Sequence, residues 1–241
     1  MNIPDPVHME RFLNHVLDPE AGWMELVMWG VHLNQNNHFE PPLKYPQTYG
    51  GWFNSPKRIM DTAKRLRGVS IYATFNPVHP DKAAQSPNQI KRFAKGDACS
   101  KEDILKIRHI LIDIDYQKNV SNGDKLSSTT SELQAALDLR ATILEKRPEI
   151  RENAIYGCSG NGAWILVKIA DWPVDQRRVG AVKNFLTCLA EDFGKKGRDA
   201  AHVDAHPHFP NAHIGLPGTL KCKGIPSDDR PHRIITVDGG F

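Results

Sequence analysis

The chain has 241 residues, of which 40% are hydrophobic and 24% charged, with a formal net charge of +3. That length holds one sizeable domain or two small lobes with a real core, and the mild positive balance permits a polyanionic partner without demanding one. There is no apolar run of the roughly 18 residues a membrane span needs, and "MNIPDPVHMERF" lacks the basic-then-apolar order of a signal peptide. The expectation is a cytoplasmic protein with no membrane association.

In chain order, residues 34–56, "NQNNHFEPPLKYPQTYGGWFNSP", are rich in Asn, Pro and Gly and read as loop. Residues 57–67 read as a helix. They form the densest basic run, "KRIMDTAKRLR", whose expected role is a solvated face. "VSIYATF" at 69–75 is a strand, after which "NPVHPDKAAQSPNQ" turns the chain. Residues 107–115 form a strand. "TTSE" at 129–132 has the form of a capping box, with Thr129 as cap and Glu132 three residues on. Leu133, Ala136, Leu137, Ala141 and Leu144 follow at helical spacing, and Pro148 ends that helix. Residues 153–158 and 163–169 are strands joined by "SGNG". A helix over 175–193 puts Val179, Val182, Leu186, Leu189 and Phe193 on one face. Short strands are expected at 201–204 and 234–237.

From residue 107 to residue 204 the order is β-α-β-β-α-β, the split βαβ or ferredoxin-like arrangement that also frames the RNA-recognition motif (RRM). The expected class is α+β. In that frame the first and third strands lie at the centre, the fourth pairs with the first, and both helices cover one face.

Strand alternation then gives "RHILIDIDYQ" a meaning. Ile110, Ile112 and Ile114 point toward the helices, and Leu111, Asp113 and Asp115 point to the other, expectedly uncovered, face. Two carboxylates about 7 Å apart along a strand repel and raise each other's pKa. A divalent cation would remove that conflict, and hard oxygen ligands suit magnesium or manganese. Topology adds Asp204 from the neighbouring strand. Three carboxylates on one face suit two metal ions and phosphoryl transfer; the bland alternative is solvated aspartates on an open sheet. Trp164, Leu166 and Lys168 share the acids' face, and the "SGNG" turn offers backbone N–H groups and Ser159 near phosphate height.

The cysteines, Cys99, Cys158, Cys188 and Cys222, make no CxxC pair and read as free thiols in a reducing compartment. His202, His206, His208 and His213 crowd "AHVDAHPHFPNAH". They could form a transition-metal site or the HxH of a nicking endonuclease. Against the nickase, Pro207 stands between His206 and His208, and no later helix carries a tyrosine nucleophile.

Taken together, "ILIDIDY", "CSGNGAWILVKI" and "HVDAHPHFPNAHIGLPGTLKCKG" followed by "DDRPHR" resemble the archaeo-eukaryotic primase superfamily. The resemblance is closest to the primase-polymerase domains of phage and plasmid replication proteins. "YATFNPVHP" and "CSKEDILKIRHILIDID" resemble that group's lead-in segments, so the likeness covers residues 69–233. It implies one catalytic domain over 1–241, with an accessory α/β module over about residues 1–105 and an RRM-like core over 106–241. It implies a DNA primase or DNA polymerase that acts on (d)NTPs with Mg2+ or Mn2+ and on a single-stranded DNA template and primer. A helical domain and a helicase, in cis or in trans, are the implied further partners.

By position, Asp113, Asp115 and Asp204 match the family's acids, the implied catalytic and metal-binding residues. Ser159 and Gly160 match the start of its second motif. Asn211, Gly218, Thr219 and Lys223, with Arg230, His232 and Arg233, match the segment after the third acid and are the implied nucleotide or template contacts, with Lys221 and Lys168 as further candidates. Two departures matter. Trp164 stands where the family usually has a triphosphate-gripping histidine, and His213 where an arginine is common. Trp164 is therefore expected either to stack on a base or sugar or simply to cover the sheet face; Tyr72 and Tyr116 are further aromatic candidates, and Phe75 is expected to pack in the core. The second reading is a module that binds nucleotide or DNA without synthesis.

Overall fold

The computed structural model describes residues 4–17, 22–33, 39–40, 47–66, 69–116, 126–194 and 200–240. The chain is a mixed α+β protein whose sheets are antiparallel. Helix α1, Pro6–Val16, starts at Asp5, whose carboxylate accepts the Val7 N–H at 2.9 Å, and Pro6 occupies the first turn where no amide donor is needed. Met9, Phe12, Leu13 and Val16 recur at helical spacing and form its buried face. Strand β1, Met24–Leu33, is almost continuously apolar and lies inside a sheet. Strand β2, Phe39–Glu40, pairs with its end, and β3, Gln47–Phe53, runs along its other length.

Strand β3 corrects the expectation of loop across 34–56; residues 34–38 and 41–46 lie outside the described residues. Gly50 and Gly51 mark close approach here, not a turn. A Cβ on Gly51 would meet the carbonyl of Gln89, and one on Gly50 would meet the ring of Phe93.

Helix α2, Pro56–Arg65, is capped by Ser55 and ends inside the expected 57–67, of which Arg67 lies outside the described residues. Strand β4, Tyr72–Thr74, is shorter than expected. The short helix α3, Pro80–Ala83, and β5, Lys91–Phe93, follow. Strand β6, Ile107–Tyr116, precedes helix α4, Thr130–Lys146. The capping box is present as read, with Glu132 N–H donating to Thr129 Oγ1 at 3.2 Å and Thr129 N–H donating to Glu132 Oε2 at 2.9 Å. Then come α5, Pro148–Arg151, β7, Ala154–Cys158, β8, Ala163–Trp172, α6, Gln176–Phe193, and β9, Ala201–Asp204. Strands β10, His213–Gly215, β11, Leu220–Lys221, and β12, Arg233–Ile234, finish the chain.

The first sheet runs β10-β4-β1-β3-β5, so a late strand closes the edge of the early one; the second runs β7-β8-β6-β9. On one face of the second sheet Ile110, Ile112, Ile114, Ile165 and Val203 pack against Ala136, Ile143, Val182, Leu186 and Leu189 of α4 and α6. The other face is not open along its length. Leu111, Ile155, Trp164 and Leu166 are buried in one cluster with Phe12 and Leu13 of α1, Leu26 and Met28 of β1, and Ile59 of α2. Both faces of the second sheet therefore carry core, and the acids' face emerges toward its ends, at the carboxylates and at Lys168.

Candidate active site

Strand β6 delivers Asp113 and Asp115 to one face because they are two residues apart. Strand β9 pairs with it so that Asp113 stands opposite Asp204 and Asp115 opposite His202. A Cβ on Gly162 would lie 2.9 Å from Asp115 Oδ1, so only glycine leaves that carboxylate its place. Burial is the largest influence on Asp113, and the neighbouring Asp115 and then Asp204 add to it; Lys221 acts the other way, and the carboxyl is pushed up to about 8. The site thus holds more negative charge than it neutralises.

The hairpin of β11 and β12 supplies the nearest cations. Lys221 and Arg233 face each other in its register. Gly160, at φ +85°, lets the "SGNG" turn pass beneath them; a Cβ there would come within 2.7 Å of Lys221 Cβ. The Lys221 amine donates to Tyr72 Oη at 3.1 Å and lies 4.4 Å from the centre of that ring. Arg233 Nη1 donates to Ser128 O at 2.7 Å, while its buried Nη2 has no hydrogen-bond partner among the described residues. Lys221 is thus brought beside Asp113 and the turn, and Arg233 beside the turn alone.

Several other expected contacts are consumed elsewhere. Ser159 Oγ accepts the Gly162 N–H at 2.9 Å, the Ser159 N–H donates to Gly162 O, and the Gly160 N–H reaches Cys158 Sγ, so these amides brace the turn and do not present a phosphate cradle. Asn161 docks the turn on the start of α4, its side-chain oxygen accepting the Ser128 N–H and its carbonyl the Ser128 hydroxyl. Asn211 Nδ2 donates to Cys99 O at 2.9 Å, and Thr219 is buried with its hydroxyl on Leu216 O. Arg230 grips Glu132 with both terminal nitrogens, at 2.8 and 3.0 Å, and His232 pairs with Gly224 O. Lys223 joins the segment before α4 through its backbone carbonyl, which accepts the Ser127 hydroxyl. Gly218, at φ +83°, receives the Asp5 N–H on its carbonyl and packs under α1.

Trp164 is the largest correction. It does lie opposite Asp113, but it is fully buried and edge-on to Phe12, with ring centres 6.5 Å apart. The expectation of an indole on an open face fails because α1 covers this part of the sheet. Phe75 is buried as well. Lys168 is exposed on the acids' face but four residues beyond Trp164, about 13 Å along the strand, where it lines a separate cleft with Arg11, Asn14 and His15.

The donor set, all carboxylate oxygens, fits magnesium or manganese in chemistry. It is not a closed ring, since among the described residues no three His, Cys, Asp or Glu side chains converge for a metal. Asp204 Oδ1 is engaged by His206, accepting its N–H at 2.9 Å and lying 2.6 Å from its Nδ1. The four histidines are dispersed too. His202 sits beside Asp115, His206 on Asp204, His208 against the Phe209 ring, and His213 on Glu25. Cys99, Cys158, Cys188 and Cys222 are free thiols.

Two neighbouring residues, Glu25 and Trp29, were missed by sequence reading, and a third, His202, was placed only loosely. Glu25 is fully buried and lies 2.8 Å from His213 Nε2. Trp29 is exposed beside Tyr72 and His213. His202, seen only as one of a histidine run, turns out to share the register of Asp115, and its buried Nδ1 has no hydrogen-bond partner among the described residues. No signal marked Glu25 or Trp29, because an apolar strand hides both. Among the described residues no helix is long and apolar enough to cross a membrane. No family model matches the chain, and no curated protein matches it.

Proposed function

We propose that the chain is a DNA-dependent nucleotidyltransferase, a primase or DNA polymerase of the primase-polymerase kind, acting on (d)NTPs. The observation that carries this reading is the pairing of Asp113 with Asp204 across β6 and β9, with Asp115 on the same face and Asp113 pushed up first by burial and then by its acidic neighbours. A cluster of acids held together against repulsion is costly to a fold unless a cation binds there. The order β7-β8-β6-β9, with α4 and α6 on one face, supports an RRM-like core.

In this reading Asp113, Asp115 and Asp204 hold magnesium or manganese. When bound, the metal neutralises developing phosphate charge and lowers the pKa of the attacking hydroxyl. Lys221 offers its ammonium to the triphosphate, and the unpaired Nη2 of Arg233 offers a second donor beside the turn. His206 holds Asp204 through Oδ1, so Oδ2 is the oxygen that would join the ligands. Template and primer would lie along the emergent end of the sheet, and a helical domain or helicase would act in cis or in trans.

Full-length protein with a primed single-stranded template, (d)NTP and Mn2+ should extend the primer, and Asp113→Asn should not. Extension by Asp113→Asn equal to the parent would remove the reading. A second reading, a binding module without synthesis, is favoured by the open carboxylate set and by the internal engagement of Ser159, Asn211, Thr219 and Arg230. Nucleotide binding without incorporation by the parent would select it.

A further inference from the structure

Strand β1 breaks register between Met28 and Val31, and Gly30 there has φ +66°. Bulges of this kind re-aim a side chain. Here the break turns Trp29 outward, and it is 45% exposed although it neighbours one of the most buried stretches of the chain. The indole is nonetheless held. Its ring centre is 4.8 Å from that of Tyr72, at 51° between planes, and 5.0 Å from that of His213, at 80°. His213 is itself fixed by the buried carboxylate of Glu25 at 2.8 Å, and Glu25 accepts the Cys99 N–H at 2.8 Å. Tyr72 is fixed by Lys221, which bonds its hydroxyl and covers its ring. Lys221 also runs over the Gly160 turn, two residues from the glycine that abuts Asp115. One cation therefore separates an exposed, braced aromatic face from the carboxylates.

We propose that Trp29, braced by Tyr72 and His213, is the stacking platform for the base of the incoming nucleotide, with Lys221 facing its phosphates. This rests on the nucleotidyltransferase reading for the identity of the ligand. A planar base on an indole gains stacking regardless of sequence, and the ring supplies it with little loss of freedom because it is already held on two sides. The order fits a nucleotide, with base on the aromatic side of Lys221, which holds Tyr72, and phosphates on the side where Lys221 acts on Asp113.

Binding of dATP and of inorganic tripolyphosphate to the full chain with Mn2+, measured calorimetrically, tests this. Trp29→Ala should weaken dATP about tenfold and leave tripolyphosphate unchanged, and Trp29→Phe should restore most of the dATP affinity. In the parent, dATP should quench tryptophan fluorescence more than tripolyphosphate does. Equal dATP affinity in Trp29→Ala and parent would overturn the platform, as would equal weakening of both ligands or a parent that binds no dATP. So would a loss confined to single-stranded oligonucleotide, which would assign the indole to a strand instead. Base-dependent binding in a parent that incorporates nothing would keep the platform and remove the nucleotidyltransferase reading, whereas normal incorporation with no effect of Trp29→Ala would do the reverse.

Discussion

Asp113 and Asp204 stand directly opposite each other on adjacent antiparallel strands, with Asp115 two residues along the same face. Opposed like charges destabilise a strand pair. Because the folded pKa of Asp113 is raised to about 8 from an ordinary value of 3.8, the group's stabilising contribution is present below pH 3.8 and lost as pH rises toward 8. Asp113→Asn should therefore raise the melting temperature in chelator at pH 8 by a few degrees, about 1 kcal/mol for a chain of this size. The difference should vanish near pH 4. Added Mn2+ should stabilise the parent and not the variant. A variant less stable than the parent at pH 8 in chelator would mean the carboxylate is satisfied in some other way.

Glu25 and His213 form a buried pair that joins β1 to β10. Removing one partner leaves the other without its bond in a dry site, at about 3 kcal/mol. His213→Ala should lower stability by about that much in urea unfolding. The double variant Glu25→Leu with His213→Leu should lose less than His213→Ala alone, because no charge is left stranded. If the double variant loses the sum of the two single losses, the pair is not coupled.

His109 is buried, with Nδ1 2.9 Å from Phe75 O and its ring 5.2 Å from that of His15. Burial first, and the neighbouring His15 next, lower its pKa to about 3, and burial lowers His15 to about 4. A histidine depressed in the folded state takes up its proton in the unfolded chain first. Its contribution is thus present above pH 6.5 and is lost as pH falls from there toward 3. At pH 5 the loss from His109 is about 2 kcal/mol. The stability advantage of the parent over His109→Gln should shrink by that amount between pH 7.5 and pH 5. A constant advantage would show that the imidazole is protonated in the fold.

Trp164 fills the space between α1 and the second sheet. Trp164→Ala should cost about 3–5 kcal/mol, a structural loss that would depress activity by depleting folded protein. Trp164→His should also destabilise the chain, since an imidazole leaves part of that volume empty. Urea unfolding of both variants checks this. A stable Trp164→Ala would show that α1 does not depend on the indole.

The sequence alone determined the strands and helices from residue 107 to residue 204 apart from the short α5, because each of those has its own signal. Alternation placed Ile110, Ile112 and Ile114 opposite Asp113 and Asp115, Thr129 and Glu132 announced α4, and the 3–4 spacing of Val182, Leu186 and Leu189 gave α6. The shared face of Asp113 and Asp115 follows from a period of two and needs no tertiary information. Strands β1 and β3 were not legible: β1 lacks alternation because Met24–Met28 are buried on both sides, and the glycines of β3 imitate a turn. Only the tertiary structure decided that α1 lies over Trp164 and shuts it off, that Asn211, Thr219 and Arg230 spend their donors inside the protein, and that Trp29 comes to Tyr72 and His213. Those outcomes join residues far apart in the chain, as Trp29 and His213 are. Local periodicity carries no record of which distant segment arrives to cover a face or take up a donor, because that choice is made by the packing of the whole chain.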